Sequence, residues 1–489
     1  MPSPASNQAA RMVLKFGGSS VSSLVGWTTI AKVVRERTEG GAKVLVVHSA
    51  LSGITDLLER LPGEAAEGRH GAILDTLSKR HFGLCEELGI APPPTLRSDL
   101  AELGEAAEGI ALTRDATARV KARILAFGEC LATRIGAAFL ESRDLPVEWL
   151  SAVELLVAVD TGRQTGDAAW LSAECGSELD AGLKARLDLM PAVGLTQGFT
   201  ARNAAGEAVV LGRGGSDTAA AYFAGQWGAD RLEIWSDVPG MFSADPRIVP
   251  SARLLRRLDY REAQEIATTG SKVLHPRAVR AVRDRGIPLH LRSTIDPDSP
   301  NTIIERIDQA GPARVKAISW KGKVILVSME TLGMWQEVGF LARAFSVFRD
   351  QGLSIDLVST SETNVTVSLD AQATLLDDVA LEEATKALSR FCGVSVIRPC
   401  AAVSVVGSRI RGLLHKMGPA LEAFEEKQVH LVSQAASDLN FTVVVDEDQA
   451  KDLVRTLHGL LIPPSPEGSE VFGPSWEELS AQPARAAVR

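Results

Sequence analysis

The chain has 489 residues, 45% of them hydrophobic and 23% charged, with a net charge of −9. That length predicts roughly two to four domains, and the acidic balance disfavours nucleic acid or an anionic membrane as main partner, leaving small molecules. Five widely spaced cysteines without a CxxC pair, no apolar signal core and no run of about 20 apolar residues predict a cytoplasmic protein with reduced thiols, not a disulfide frame or zinc site.

Residues 1–11 read as a disordered leader. Residues 12–16 follow as a strand, and Gly17-Gly18-Ser19-Ser20 turns into a helix. Lys15, two residues before the glycine pair, would aim its ammonium at an anion on the turn's amides, although a surface lysine beside a turn is as simple a reading. The GxxxxGK[ST] pattern is absent, so a nucleotide would be held by another geometry. An amphipathic helix is expected over 27–39, and residues 43–47 read as a strand of a parallel sheet. The hydroxyl-bearing loop from Ser49 to Asp56 is either a binding loop or a connection N-capped by Ser52.

Residues 57–140 read as mostly helical, broken by Pro92-Pro93-Pro94. In the helix near 118–140, Ile124, Phe127, Leu131, Ile135 and Ala138 form the core stripe, while Glu129 lies off it. Ala132, Thr133 and Gly136 share the side of Glu129, where a ligand could approach; an exposed glutamate is the plainer alternative. Strands are expected at 147–150 and 190–193, the latter leading to Thr196-Gln197-Gly198-Phe199.

The stretch over 209–247 organises the rest: strand, glycine turn, helix, strand, acidic loop. Gly212, Gly214 and Gly215 permit a sharp turn, and Ser216-Asp217 stands where an N-cap belongs. The alanine-rich helix can lie close to a sheet, and its free amides with Arg213 suit phosphate or carboxylate. Residues 232–235 read as the next strand, and Ser236-Asp237 falls where open α/β sheets present ligand groups. Asp237 and Asp245 supply carboxylates, with Arg247 as a second clamp. Asp259 and Glu262 have capping-box spacing before a helix stopped by Gly270. Lys272 lies in the following loop, His275 reads as structural, and Pro276 suits the first position of another helix. Short strands at 289–291 and 303–304 close the domain.

Beyond about 310 two segments repeat the order strand, helix, strand, strand, and LVS…NxTV recurs at 357–367 and 431–443. Two small α+β units with paired sheets follow from it. Residues 462–489, rich in Pro, Ser, Gly and Ala, read as a tail.

Five motifs in this order carry a resemblance: Lys15-Phe16-Gly17-Gly18-Ser19-Ser20-Val21, Phe127-Gly128-Glu129, Leu211-Gly212-Arg213-Gly214-Gly215-Ser216-Asp217, Asp237-Val238-Pro239-Gly240 with Asp245-Pro246-Arg247, and Lys272-Val273-Leu274-His275-Pro276. Over essentially 12–462 the chain resembles the aspartokinases of the amino acid kinase family. The resemblance implies an open, mostly parallel α/β sheet sandwiched by helices over 12–306, ACT domains of ferredoxin-like α+β type at 315–396 and 397–462, and a flexible tail at 463–489. It implies Mg2+ and ATP as cofactors, L-aspartate as acceptor and phosphoryl transfer to its side-chain carboxylate.

Residue by residue, the resemblance makes Lys15 and Lys272 the cations on the phosphates and Arg213 the clamp on the substrate carboxylate. Asp217 orients the site, Glu129 pairs with the substrate ammonium, and Ser49, Thr55 and Ser216 help hold aspartate. Gly17, Gly18, Ser19, Ser236, Asp237, Phe242 and Arg247 border the nucleotide; no residue is assigned as a metal ligand. Ser19, Asp56 and Phe242 replace threonine, asparagine and tyrosine common in the family, and Phe242 forfeits a hydroxyl. In the ACT region Met334, Phe340, Leu341, Ile355, Asp356, Ser361 and Glu362 match positions used for lysine, while Glu337 departs. Lysine is thus the favoured effector, with threonine possible, and pairing into a homodimer or larger oligomer is expected. The alternatives are a kinase of another amino-acid carboxylate, disfavoured by the FGE and KVLHP motifs, and a silent sensor subunit, disfavoured by the retained lysines, Arg213 and Asp217.

Overall fold

A computed structural model describes residues 9–160, 166–271, 273–307, 312–331, 338–370, 378–416, 418–425, 427–463 and 470–481. The first strands are β1 (Arg11–Phe16), β2 (Lys43–His48), β3 (Val147–Leu150) and β4 (Val193–Gln197). A hairpin of β5 (Thr200–Arg202) and β6 (Ala208–Val210) precedes β7 (Arg231–Ser236), β8 (Arg253–Leu255), β9 (Arg257–Asp259), β10 (Leu289–Ser293) and β11 (Thr302–Glu305). Eight of these form one sheet in the order β3-β4-β2-β1-β7-β10-β11-β9. Every pairing in it is parallel except that of β10 with β11. Parallel strands covered on both faces must be apolar throughout, and Val44 to Val47 are fully buried accordingly. Their shared direction sends the residues after β1, β2, β4, β7 and β10 to one edge.

Two helices complete that edge. Gly215–Trp227 buries Ala219, Ala220, Ala221 and Ala224 completely, so small side chains let its backbone sit close to the sheet. Its N-cap is Gly214 at φ +67°, not the expected Ser216-Asp217, which occupy the first turn instead. The left-handed turn decides the helix start, and a β-carbon at Gly214 would strike the ring of His275. The second helix, Ala118–Ser142, is capped by Thr117 and buries most of its length. The capping box of Asp259 and Glu262 forms at Tyr260–Thr268, and Pro276 opens Pro276–Arg283 behind its N-cap His275. The strand expected at 190–193 lies instead at Val193–Gln197, and Arg11 belongs to β1 rather than to a leader.

The remaining strands are β12 (Arg314–Glu330), β13 (Ile355–Thr360), β14 (Asn364–Asp370), β15 (Gly393–Ser408), β16 (Val429–Ser433), β17 (Asn440–Asp446) and β18 (Phe472–Ser475). A six-stranded sheet runs β13-β14-β12-β15-β17-β16. The two repeats interleave rather than follow in tandem. Residues 314–321 of β12 pair with 402–408 of β15, whereas 324–330 pair with β14 and with the start of β15. The second repeat therefore takes its first strand from before the first repeat, and a boundary at 396/397 falls inside the continuous strand β15. Phe340–Asp350 and Asp378–Leu388 cover the first unit, with Phe340, Phe348, Leu381 and Leu388 in one core with Val327 and Val367.

Part of the expected tail is folded. β18 pairs antiparallel with β8, and Trp476–Ser480 follows as a short helix with a Ser475/Glu478 capping box. Phe472 and Leu479 are buried. The five cysteines carry free thiols. Among the described residues no helix is long and apolar enough to cross a membrane.

Candidate active site

Lys15 is the penultimate residue of β1, with only 9% of its surface exposed. Its Nζ lies 2.6 Å from Asp217 Oδ1 in the first turn of Gly215–Trp227. One half-buried carboxylate thus holds the ammonium between the two glycine turns, a charge pair that fixes a lysine otherwise free to rotate. The first turn is stitched to the loop after β2. Ser22 Oγ donates to the Gly18 carbonyl at 2.6 Å and accepts from the Ser52 amide at 2.8 Å. A β-carbon at Gly18 would sit 2.9 Å from the Ala50 carbonyl oxygen, so the second glycine is a packing requirement.

Glu129 is 3% exposed, so the exposed-glutamate reading fails. Burial pushes its carboxyl up to about 8, against the Ala50 amide that donates to it, its own amide and the charge of Lys15. Its Oε2 has no hydrogen-bond partner among the described residues. A buried carboxyl with a spare oxygen, beside a lysine, suits a cationic guest. The neighbours expected to receive a ligand are filled by aromatic packing instead: Thr133 accepts from Trp149, and Gly136 lies against Trp27 and His48.

Arg213, in the turn before the helix, and Asp237, after β7, are exposed; Ser49, Thr55, Ser216 and Ser236 are partly covered. The Gly17 amide donates to the Trp235 carbonyl, and Ser20 Oγ meets Thr294 Oγ1 at 2.7 Å, tying the first turn to β7 and to the end of β10. Lys272 lies outside the described residues. Burial, then Arg277, holds His275 below the ordinary imidazole range against the pull of Asp217.

Ser236, Asp237, Phe242 and Arg247 line one cavity of about 950 Å3. Arg247 is forked onto Asp245, with Nε to Oδ1 at 3.0 Å and a terminal nitrogen to Oδ2 at 2.8 Å, which presets its direction at the rim. The far wall comes from Gly270, Ser271, Ser319 and Trp320, and from Trp476 and Ser480 of the C-terminal segment. A second cavity, about 550 Å3 beside Cys130 and Trp149, contains none of the expected residues.

Sequence reasoning missed several groups. Phe199 adopts φ +63° and packs against Gly215 at the start of the helix Gly215–Trp227, a strained position typical of functional sites. Its place two residues after β4 was the available signal. The packing of Trp476 against Phe242, and the place of Trp320 in the same cavity, left no local trace. Among the described residues one metal-ligating cluster occurs, Cys400, His430 and Asp446. It is satisfied within the regulatory sheet, since His430 Nε2 meets Asp446 Oδ1 at 2.8 Å and Cys400 donates to the Ile397 carbonyl.

Of the expected effector residues, Met334 lies outside the described residues, as does Glu337. Phe340 is buried, Leu341, Asp356, Ser361 and Glu362 are exposed, and Ile355 is intermediate. Asp356 already pairs with Lys321 at 2.8 Å, and Lys321 also meets Asp370 at 2.7 Å.

The family model described as "Amino acid kinase family" matches residues 10–293. The lysine-sensitive aspartokinase 3 of Escherichia coli is 30% identical over 465 residues, covering 92% of this chain and 99% of its own. The structure of E. coli aspartokinase III with aspartate and ADP, its R-state, superposes with a TM-score of 0.80 at 29% identity, over 92% of this chain and 100% of that one. Its T-state, with lysine and aspartate, gives 0.72 at 28% identity, covering 92% and 99%. A catalytic fold with paired glycine turns, an interleaved regulatory sheet and near full-length likeness agree: the chain belongs to the amino acid kinase family and, within it, to the aspartokinases, which are ATP-dependent phosphotransferases.

Proposed function

We propose that the chain transfers the γ-phosphoryl group of Mg-ATP to the β-carboxylate of L-aspartate, giving 4-phospho-L-aspartate, the first step toward lysine, threonine and methionine. The observation that carries this reading is the Lys15–Asp217 contact at 2.6 Å between the two anion-binding turns, with the spare oxygen of buried Glu129 close by. The aspartate side chain, with an ordinary pKa of about 3.9, is already a nucleophilic anion at neutral pH, so no general base is required. Rate then comes from alignment and charge neutralisation.

Glu129 would take the substrate ammonium and Arg213 its α-carboxylate, with Ser49, Thr55 and Ser216 closing on the rest. Lys15 and Lys272 would hold the phosphates with the amides of Gly17, Gly18 and Ser19. The nucleoside end would enter the cavity of Ser236, Asp237, Phe242 and Arg247. A magnesium ion suits this mouth, since hard oxygen donors are what it needs and Asp237 is exposed there. A magnesium ion there would supply neutralisation of the phosphates' negative charge.

The paired ACT units are read as the sensor, with lysine as the favoured effector and a homodimer as the smallest working assembly. The relative named lysine-sensitive supports this choice, and the exposed Asp356, Ser361 and Glu362 suit an amino-acid ligand. Lysine's ammonium would have to compete with Lys321 for Asp356. The test is ATP-dependent acyl-phosphate formation trapped as the hydroxamate, for the native chain and Lys15→Ala, with lysine or threonine added. Aspartate-dependent product that the substitution removes is expected, with inhibition by lysine. Product from another carboxylate but not aspartate would refute the substrate, and inhibition by threonine alone would refute the effector.

A further inference from the structure

The nucleotide cavity is completed by a part of the chain that none of the five motifs includes. β18 lies along β8, which also supports the nucleotide loop: Phe242 bridges Leu254, the Leu255 amide donates to the Met241 carbonyl, and the Ser243 amide to Arg253. Backbone bonds fix the segment on both sides of β18. The Arg256 amide donates to the Val471 carbonyl at 2.7 Å and the Trp476 amide to the Ala252 carbonyl at 2.8 Å. A capping box at Ser475 then starts the short helix and directs Trp476 to Phe242, ring centroids 5.5 Å apart and edge-to-face. Phe242 cannot offer a hydroxyl to a nucleotide; Trp476 covers it with apolar surface. Trp476, Glu477 and Ser480 line the same 950 Å3 cavity as Ser236, Asp237 and Arg247. Ser480 Oγ is closed off from solvent behind this lining, without a hydrogen-bond partner among the described residues, and turns toward the cavity by rotation about its Cα–Cβ bond.

We propose that residues 475–481 form a wall of the nucleotide site, in which Trp476 positions Phe242 against the nucleoside end of the nucleotide and the Ser480 hydroxyl is a polar contact for it. This deepens the reading above and rests on it for the location of the nucleotide. An aromatic pair and a spare hydroxyl on one wall of a cavity suit a flat, hydrogen-bonding heterocycle and its ribose, whereas the phosphates would lie toward Lys15 at the sheet edge. The segment thus sets affinity for the nucleotide and not for the acceptor amino acid.

The test uses the full chain. ADP binding is measured by calorimetry, and KM for ATP and for aspartate by initial rates, in the native protein, Trp476→Ala, Trp476→Phe and Ser480→Ala. Trp476→Ala should weaken ADP binding and raise KM for ATP about tenfold while KM for aspartate holds. Trp476→Phe, which keeps an aromatic edge, should restore most of that loss. Ser480→Ala removes an unpartnered hydroxyl with little effect on packing and should weaken ADP about threefold, which keeps the test open if Trp476→Ala does not fold. ADP affinity unchanged within twofold in Ser480→Ala and in whichever tryptophan variants fold would overturn the proposal. An equal rise in both KM values would do the same, since it would signal general loosening. If the native chain binds ADP but phosphorylates a different carboxylate, the substrate assignment falls while the ADP measurements still decide the wall.

Discussion

Replacing Glu129 by glutamine probes the proposed acceptor site with the least steric change. The native carboxyl is 3% exposed and raised from 4.5 to about 8, chiefly by burial. Truncating one side of a buried charge pair costs about 2–5 kcal/mol. At pH 7, however, the carboxyl must first be ionised across one unit, which returns about 1.4 kcal/mol. The net loss of roughly 0.6–3.6 kcal/mol predicts that Glu129→Gln raises the KM for aspartate about threefold to several hundredfold at pH 7. The pH profile is the sharper readout. The ionised fraction rises about fivefold between pH 7 and pH 8 for a pKa near 8, so native aspartate affinity should improve in that window and level off above it, while the glutamine variant stays flat. Stability runs the other way. With the folded value above the unfolded one, the unfolded chain releases its proton first, so stability from this group is full below about pH 4.5 and lost as pH climbs to about 8. The loss is at most on the order of 5 kcal/mol, and glutamine should remove it from urea titrations. A native profile flat from pH 6.5 to 8.5, or an aspartate KM unchanged in the variant, would refute the placement of the substrate ammonium on Glu129.

Substitutions at two further places test the scaffold. Gly214→Ala forces a side chain into φ +67° and into the ring of His275; a loss of about 1–3 kcal/mol in urea unfolding, with activity falling alongside, is expected, and near-native behaviour would show that the turn has another route. Lys316 and Glu262 form a 2.6 Å pair almost free of solvent, joining β12 to the capping box of Tyr260–Thr268. Lys316→Ala should cost about 3–5 kcal/mol, and adding Glu262→Gln, which keeps the cap's acceptor oxygen, should recover much of it. Equal stability of the single and double variants would mean that lost packing, not a stranded charge, sets the cost.

Lys15, the glycine turns and the capping box at Asp259 were legible because each depends on neighbours within a few residues, and parallel strands then carry such turns to one edge without further instruction. Glu129 was legible as a position but not as a contact: helical period gives its side of Ala118–Ser142, whereas only the loop after β2 supplies the Ala50 amide. The interleaved regulatory sheet was hidden for the same reason, since two repeats show their order of strands and not which copy lends a strand to the other. The C-terminal segment is the clearest case. Its composition suits a loop, and a four-residue strand with a five-residue helix has no propensity large enough to declare itself. β8, Phe242 and the Pro250 and Ala252 carbonyls hold it in place. The loop after β7 is where these non-local pieces meet. Ser243 receives the Ile318 amide of β12 on its carbonyl and meets His458 Nε2 at 2.8 Å through its hydroxyl, while Phe242 beside it receives Trp476. Burial lowers His458 to about 4, so that contact stays uncharged across neutral pH. A shift of β12 or of the helix Glu447–Leu461 must therefore move the residues proposed to border the nucleotide, whereas Lys15 and Asp217 sit on a strand of the catalytic sheet and a helix packed against it and can hold their pairing.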